Sequence, residues 1–339
     1  MRDGTSTERA TCVSAKGRAH ARIIPGVRSA EGSPVSLRGR LLIAFYRYVF
    51  KRRFPKRIEL DRAREAIAQL DVRLGGRSAD FQRVAVESAG VSGEWVTLSD
   101  RATQRTILYL HGGGFMFRTP RTHARLAARL CAALDARAFV ARYRLAPEHP
   151  LPAAHEDCFA AYRWLLAEGH DPRRIVVMGD SAGGFLTIAV LQRIRDAGLP
   201  PPCCGVVFSS GADLAEVQKL DADATREDPM IGAGVLDLLQ RVVIAPVDTL
   251  DPTISPGAGN LGRLPPLLFH AGSTEVLLDS IRKTVAQVLA DGGRAELTVW
   301  PLMPHVFQAV HWLPEAREAL ACVRDFVERY DPVPPQVQP

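Results

Sequence analysis

Residues 174 to 184 read Arg174-Ile175-Val176-Val177-Met178-Gly179-Asp180-Ser181-Ala182-Gly183-Gly184, and Phe185-Leu186-Thr187-Ile188-Ala189-Val190-Leu191 follows. The opening five residues form a short, β-branched, apolar run, the pattern of a buried strand. The closing seven have the character of a buried helix. Between them stands Gly-x-Ser-x-Gly, the pattern of a nucleophile elbow. So tight a strand-to-helix turn leaves no room for a Cβ at the flanking positions, which suits glycine. The turn lifts the Ser181 hydroxyl to the top of a sheet. The helix N-terminus behind it offers unpaired N–H groups to a developing negative charge. Alone, the pattern also fits a glycine-rich turn with no chemistry.

A second motif lies upstream. His111-Gly112-Gly113-Gly114-Phe115 follows Thr106-Ile107-Leu108-Tyr109-Leu110, another buried-strand run. Glycines after a strand let backbone N–H groups approach a ligand without side-chain obstruction. Acyl transfer requires that feature, because a carbonyl oxygen becomes an oxyanion and needs preorganised donors. The two motifs in this order argue against a loop without function.

The stretch Tyr143-Arg144-Leu145-Ala146-Pro147-Glu148-His149-Pro150-Leu151-Pro152-Ala153-Ala154 completes a set with HGGGF and GDSAGG. Together the three resemble the hormone-sensitive-lipase-like esterases, a branch of the α/β-hydrolase fold. The resemblance covers residues 80 to 330 and is specific in combination, although no single piece is. It implies a Ser-acid-His triad in that chain order. Ser181 is the nucleophile. His305, in Leu302-Met303-Pro304-His305-Val306-Phe307-Gln308 after the strand pattern 295–300, is similar to the histidine turn of the family. His311 stands closer to the last helix, and His270 ends a strand, where a packing histidine is the better reading. In the acid loop Glu275 occupies the position where the family usually has Asp, and Asp279 occupies the second acidic position. Glu275 is therefore the expected acid, with Asp279 as the rival. Either carboxylate can orient an imidazole and stabilise its charged form.

The implied oxyanion donors are the backbone N–H groups of Gly112, Gly113 and Ala182, with Gly114 able to replace one of the first two. His111 is expected to order the glycine loop, Asp180 to brace the turn or line the pocket, and Glu148 to pair with an arginine. Phe115, Met116 and Phe117 are expected along the acyl pocket. The resemblance implies hydrolysis of short- to medium-chain carboxylic esters with no metal or organic cofactor. Two other readings stay open: a catalytically silent receptor, as in the plant gibberellin receptors that resemble this branch, and an amidase or lactonase.

Composition agrees with an enzyme of ordinary globular type. The 339 residues allow one large α/β domain or two small domains, and a hydrophobic fraction of 47% is ample for a buried core. Net charge is +6, from 43 basic and 37 acidic residues. The excess gathers early, as in Lys51-Arg52-Arg53 and Lys56-Arg57. No nucleic-acid module accompanies it, so no nucleic-acid partner is expected and a solvated helix face is the simpler account. A weak membrane-surface contact through this region, and a homodimer, are compatible with the sequence. The six cysteines, Cys12, Cys131, Cys158, Cys203, Cys204 and Cys322, lack metal-ligand spacing and suit a reducing compartment. The N-terminus has no signal-peptide core, and no apolar run is long enough to span a bilayer. These features predict a cytoplasmic protein.

Along the chain, residues 1–34 read as a disordered tail and 331–339 as a second tail. Residues 35–80 read as N-terminal cap helices, one on the apolar stretch 41–50 and one on 60–74, where Ala63, Ala66, Ile67 and Leu70 recur at helical spacing. Residues 81–330 alternate strands (82–88, 94–98, 106–111, 138–143, 174–179, 204–209, 267–272, 295–300) with helices (122–134, 153–168, 181–197, 278–291, 314–329). That alternation predicts a mostly parallel eight-stranded sheet covered by helices on both faces. The stretch 213–260 interrupts it and reads as a second cap segment.

Overall fold

The structure, a computed structural model, describes residues 27–29, 35–51, 57–75, 80–98 and 103–331. A short strand β1 (Val27–Ser29) is followed by the hairpin β2 (Gln82–Ser88) and β3 (Val91–Thr97). Then come β4 (Arg105–Leu110), β5 (Ala136–Ala141), β6 (Ile175–Asp180), β7 (Cys204–Phe208), β8 (Leu267–Gly272) and β9 (Ala295–Trp300). They form one sheet in the order β1-β9-β8-β7-β6-β4-β5-β3-β2, antiparallel only at β2–β3 and β3–β5. All eight expected strands are present, most with ends shifted by one to three residues. The ninth, β1, lies in the segment read as a tail. It adds to the edge by pairing Val27 with Leu297 in parallel, an open edge being a ready template for any extended segment.

The central strands are buried from end to end, as parallel strands between two helical layers must be. Their pleat sends alternate side chains to separate cores. Leu108 and Leu110 join one core, which holds residues of α4 (Ala153–Ala167), α5 (Ala182–Asp196) and α8 (Leu278–Ala290). Ile107 and Tyr109 join the other, with α3 (Pro120–Leu134) and α9 (Pro314–Tyr330). The helix after the elbow, α5, is buried on nearly every side from Ala182 to Gln192. Asp331 closes α9 rather than opening a loose tail. It is buried and receives the Arg105 guanidinium at 2.8 Å, so the charge is paired where water is absent.

N-terminal to the sheet, α1 (Leu37–Phe45) runs on into a wider turn over Tyr46–Phe50, and α2 (Leu60–Leu74) follows. Asp71 of α2 accepts from the Arg121 and Thr122 amides, both at 2.9 Å, and so caps the start of α3. Between β7 and β8 lie α6 (Leu214–Gln218) and α7 (Ala233–Leu239).

Gly183 shows how tightly the elbow helix meets the sheet. A Cβ there would stand 1.9 Å from the Leu110 carbonyl oxygen. In an open helix Gly→Ala stabilises by about 1 kcal/mol. Here Gly183→Ala is expected to destabilise by about 1–3 kcal/mol through overpacking, read as a lower unfolding midpoint in urea. An unchanged or higher midpoint would contradict the close approach.

Candidate active site

β6 ends at Asp180, and Ser181 takes φ 51° and ψ −124° before α5 begins. A non-glycine residue pays in strain of about 1–3 kcal/mol for such a conformation and keeps it only where its surroundings enforce it. The Ser181 amide donates to the Phe208 carbonyl at 2.8 Å, and a Cβ on Gly179 would lie 2.3 Å from the Gly183 carbonyl oxygen. The bend therefore stays narrow, and Ser181 remains partly exposed at the sheet's C-terminal edge.

Three residues from distant parts of the chain meet there. His305 Nε2 is 2.8 Å from Ser181 Oγ, and its Nδ1 is 2.9 Å from Glu275 Oε2. With Nδ1–H donating to the carboxylate, Nε2 is left to accept from the serine hydroxyl. Glu275 is fully buried at its side chain. Its other oxygen, Oε1, accepts from the Gly272 amide and from Ser209 Oγ at 2.9 Å. Ser209 Oγ in turn accepts from the Val306 amide at 2.9 Å, so one hydroxyl ties the acid to the histidine loop. Burial opposes charging His305. The hydrogen bond and charge of Glu275, followed by Asp228 and Asp180, outweigh it and hold the imidazole pKa above its ordinary 6.5.

Asp279 stands apart. It pairs with Arg282 at 3.1 Å on the exposed first turn of α8. His311 is exposed. His270 is fully buried against Phe208 and Trp300, and desolvation pushes its pKa down to about 3, so it is neutral.

The glycine loop differs from expectation at one donor. The Gly112 amide is already used, donating to Asp180 Oδ1 at 3.1 Å. Asp180 also accepts from Tyr109 Oη at 2.6 Å and lies 3.4 Å from His123 Nε2. Burial would raise its pKa, but His123 and Tyr109 hold it below the ordinary carboxylate range. Asp180 thus braces the loop and engages the Gly112 amide. The N–H groups of Gly113, Gly114 and Ala182 take part in none of the hydrogen bonds among the described residues. Gly113, at φ 119°, has no room for a Cβ, which would meet the Phe117 carbonyl oxygen at 2.4 Å. His111 stacks on Tyr143 at 4.2 Å and donates from Nδ1 to the Gly112 carbonyl at 2.7 Å. Burial pushes its pKa to about 3, which leaves it a neutral structural group.

The arginine expected for Glu148 is Arg64 of α2. It holds Glu148 through both oxygens and donates to the Met116 and Ala146 carbonyls at 3.0 and 2.9 Å. Phe115 and Met116 are buried, Phe115 edge-on to Phe185, and the Met116 methyl lies beside Gly114. Leu239 of α7 lies beside Gly114, at van der Waals distance from where a Cβ would stand. Sequence reasoning missed Ser209, His123 and Asp228. Ser209 follows a strand that was recognised, but no spacing rule links that strand end to a glutamate 66 residues away. Among the described residues no cluster of three or more His, Cys, Asp or Glu side chains could hold a metal ion. No described helix is long and apolar enough to cross a membrane.

With this geometry in hand, comparison with known proteins is specific. A family model described as alpha/beta hydrolase fold matches residues 107–309. An acetyl-hydrolase of Streptomyces hygroscopicus is 38% identical over 277 residues, covering 80% of this chain and 89% of the relative. The crystal structure of EstE5, soaked with p-nitrophenyl butyrate, superposes with a TM-score of 0.79 at 36% identity, covering 88% of this chain and all of that one. An esterase from the bacterial hormone-sensitive lipase family gives 0.78 at 33% identity, covering 88% and 99%.

Because Glu275 is the main source of the raised imidazole pKa, Glu275→Gln is expected to lower the pKa of His305. An NMR titration of the imidazole measures this directly. A value unchanged from the parent protein would contradict the electrostatic account.

Proposed function

The chain belongs to the α/β-hydrolase family, within its hormone-sensitive-lipase-like esterases, and from that premise we propose a serine carboxylesterase acting on short- to medium-chain esters through Ser181, Glu275 and His305. The observation that carries the reading is the continuous chain of contacts from Ser181 Oγ to His305 to Glu275. His305 Nε2 takes the Ser181 proton as Oγ bonds to the ester carbonyl carbon. The carbonyl π electrons move onto oxygen, and the Gly113, Gly114 and Ala182 amides are the donors proposed to receive that oxyanion. Each such donor typically contributes about 2.7–4 kcal/mol to the transition state. Collapse of the tetrahedral intermediate breaks the C–O bond to the alcohol, which leaves with the proton from Nε2. Water then attacks the acyl-enzyme by the same steps with His305 again as base, releasing the carboxylic acid and restoring Ser181. Glu275 keeps Nδ1 protonated and balances the imidazolium. Residues 36–60 and 228–245 are proposed to form the cap that bounds the alcohol side. Leu239 beside Gly114 supports this placement.

A panel of p-nitrophenyl esters tests the reading, with the highest kcat/KM expected at short to medium chains. Ser181→Ala should abolish turnover and fluorophosphonate labelling. A labelled serine other than Ser181, or a maximum at long chains, would reject the respective part. His305 must be neutral to act as base. Since its pKa lies above 6.5, activity should fall as pH drops through that raised value. Glu275→Gln should cut kcat by roughly 10³–10⁴ while Asp279→Asn stays near the parent. The opposite ranking would overturn the acid assignment.

One feature also supports contact with a membrane surface. On α1, Leu37, Leu41 and Phe45 recur every fourth residue and are 73%, 61% and 51% exposed. Arg38 and Arg40 are exposed on the same helix, and residues 32–58 contain eight basic and no acidic side chains. That pairing of apolar stripe and positive charge suits an anionic bilayer. Sedimentation with phosphatidylglycerol-containing vesicles should exceed that with pure phosphatidylcholine, and Leu41→Glu should abolish it. No preference for the anionic vesicles, or self-association that Leu41→Glu removes, would reject this reading.

A further inference from the structure

We propose that Asp228 is a positioning residue for hydrolysis: from the segment between β7 and β8 it holds the acid loop by the Val276 amide, and its charge favours the His305 imidazolium. Asp228 is buried, only 1% exposed. Its Oδ2 accepts from the Val276 amide at 2.9 Å, the peptide group next to Glu275. Its Oδ1 accepts from the Met230 and Ile231 amides at 2.7 and 2.8 Å. One carboxylate therefore joins two segments 48 residues apart in sequence.

The turn that presents Asp228 is anchored from the N-terminal region. Lys51 Nζ donates to the carbonyls of Thr225, Arg226 at 2.8 Å and Asp228 at 2.7 Å. A connected path results, from Lys51 through the 225–228 carbonyls and the Asp228 carboxylate to Val276, Glu275, His305 and Ser181. The other groups that hold the acid loop lie on the sheet or on the loop after β9. They include the Gly272 carbonyl to the Glu275 amide, the Gly272 amide and Ser209 to the Glu275 carboxylate, the Ser273 amide to the Trp300 carbonyl, and Thr274 to the Met303 carbonyl. Asp228 is the hold supplied by the segment after α6, so displacement of that segment by a bulky substrate pulls directly on the acid.

Its chemistry fits the role better than a plain packing contact would. A neutral side chain could satisfy the Met230 and Ile231 amides equally well, as Asn and Ser do in such turns. Burying a carboxylate is costly, and burial holds the Asp228 pKa above the ordinary carboxylate value. The groups whose charge acts on His305 are Glu275 at its Nδ1, Asp228 and Asp180, and all three favour the imidazolium. Asp228 therefore opposes the desolvation of the cation that forms as Ser181 loses its proton.

The proposal rests on the esterase reading, and turnover by the parent protein checks that reading separately. Asp228→Asn keeps an acceptor for Met230 and Ile231, removes the charge, and sets an NH2 group or a mismatched oxygen against Val276. Its kcat is expected to fall roughly tenfold with KM changed less than threefold. The acidic limb of its kcat–pH profile is expected to move to lower pH by about half a unit or more, because the imidazolium loses a stabilising charge. Asp228→Ser, whose hydroxyl can still accept within the turn, carries the same test if the asparagine variant does not fold. Lys51→Met should lower kcat less and leave the acidic limb within about 0.2 units, since it loosens the anchor without changing charge beside His305 by direct contact. A folded Asp228 variant with parental kcat and an unmoved acidic limb would overturn the proposal. A loss of kcat with an unmoved limb would overturn its electrostatic half.

Discussion

A serine in a left-handed backbone conformation, at φ 51°, is the constraint on which the site depends. The conformation is unfavourable by itself, and the surrounding packing enforces it. Gly179 lets β6 approach α5, and Gly183 lets α5 approach the end of β4, to distances that no Cβ would permit. The buried strands on either side leave the turn no way to relax. As a consequence Ser181 Oγ projects from the sheet edge, and the first amides of α5 face the same space. The nucleophile and part of the anion site thus arise from one feature of backbone geometry.

Around that turn the structure buries three carboxylates and satisfies each one differently. Glu275 receives an amide, a hydroxyl and the His305 imidazole. Asp180 receives Tyr109, the Gly112 amide and His123. Asp228 receives three amides. An uncompensated buried charge would be expelled by unfolding or by protonation, so these partners decide where each loop can sit. The same negative charges favour a protonated His305, the state through which proton transfer must pass. Fold stability and reactivity are thus linked through shared groups rather than through separate regions.

The N-terminal helices enter this arrangement by polar contacts at a few points. Arg64 clamps the carbonyls of Met116 and Ala146 as well as Glu148, and it thereby steadies the end of the glycine loop. Lys51 collects three carbonyls of the 225–228 turn. Guanidinium and ammonium groups suit this work because one side chain satisfies several acceptors that would otherwise lie unpaired. The covering elements therefore report on, and constrain, the loops that carry the reacting groups.

Much of this was legible from residue order alone. Apolar runs located β4, β6, β7 and β8 because a strand buried on both faces must be apolar throughout, and the elbow announced itself because glycine spacing is a local steric requirement. The acid and the base could be named only through a family pattern, since Glu275 and His305 stand far from Ser181 in the chain. Three decisions belonged to the tertiary structure. It engaged the Gly112 amide with Asp180, which no spacing could foretell. It joined β1 to the sheet edge, where three residues carry too weak a pattern to read. It brought Ser209 and Asp228 to the acid loop from separate elements. Sequence specifies periodicity and steric allowance over a few residues; which buried donor meets which acceptor depends on how distant loops close over one another, and that is settled only when the chain packs.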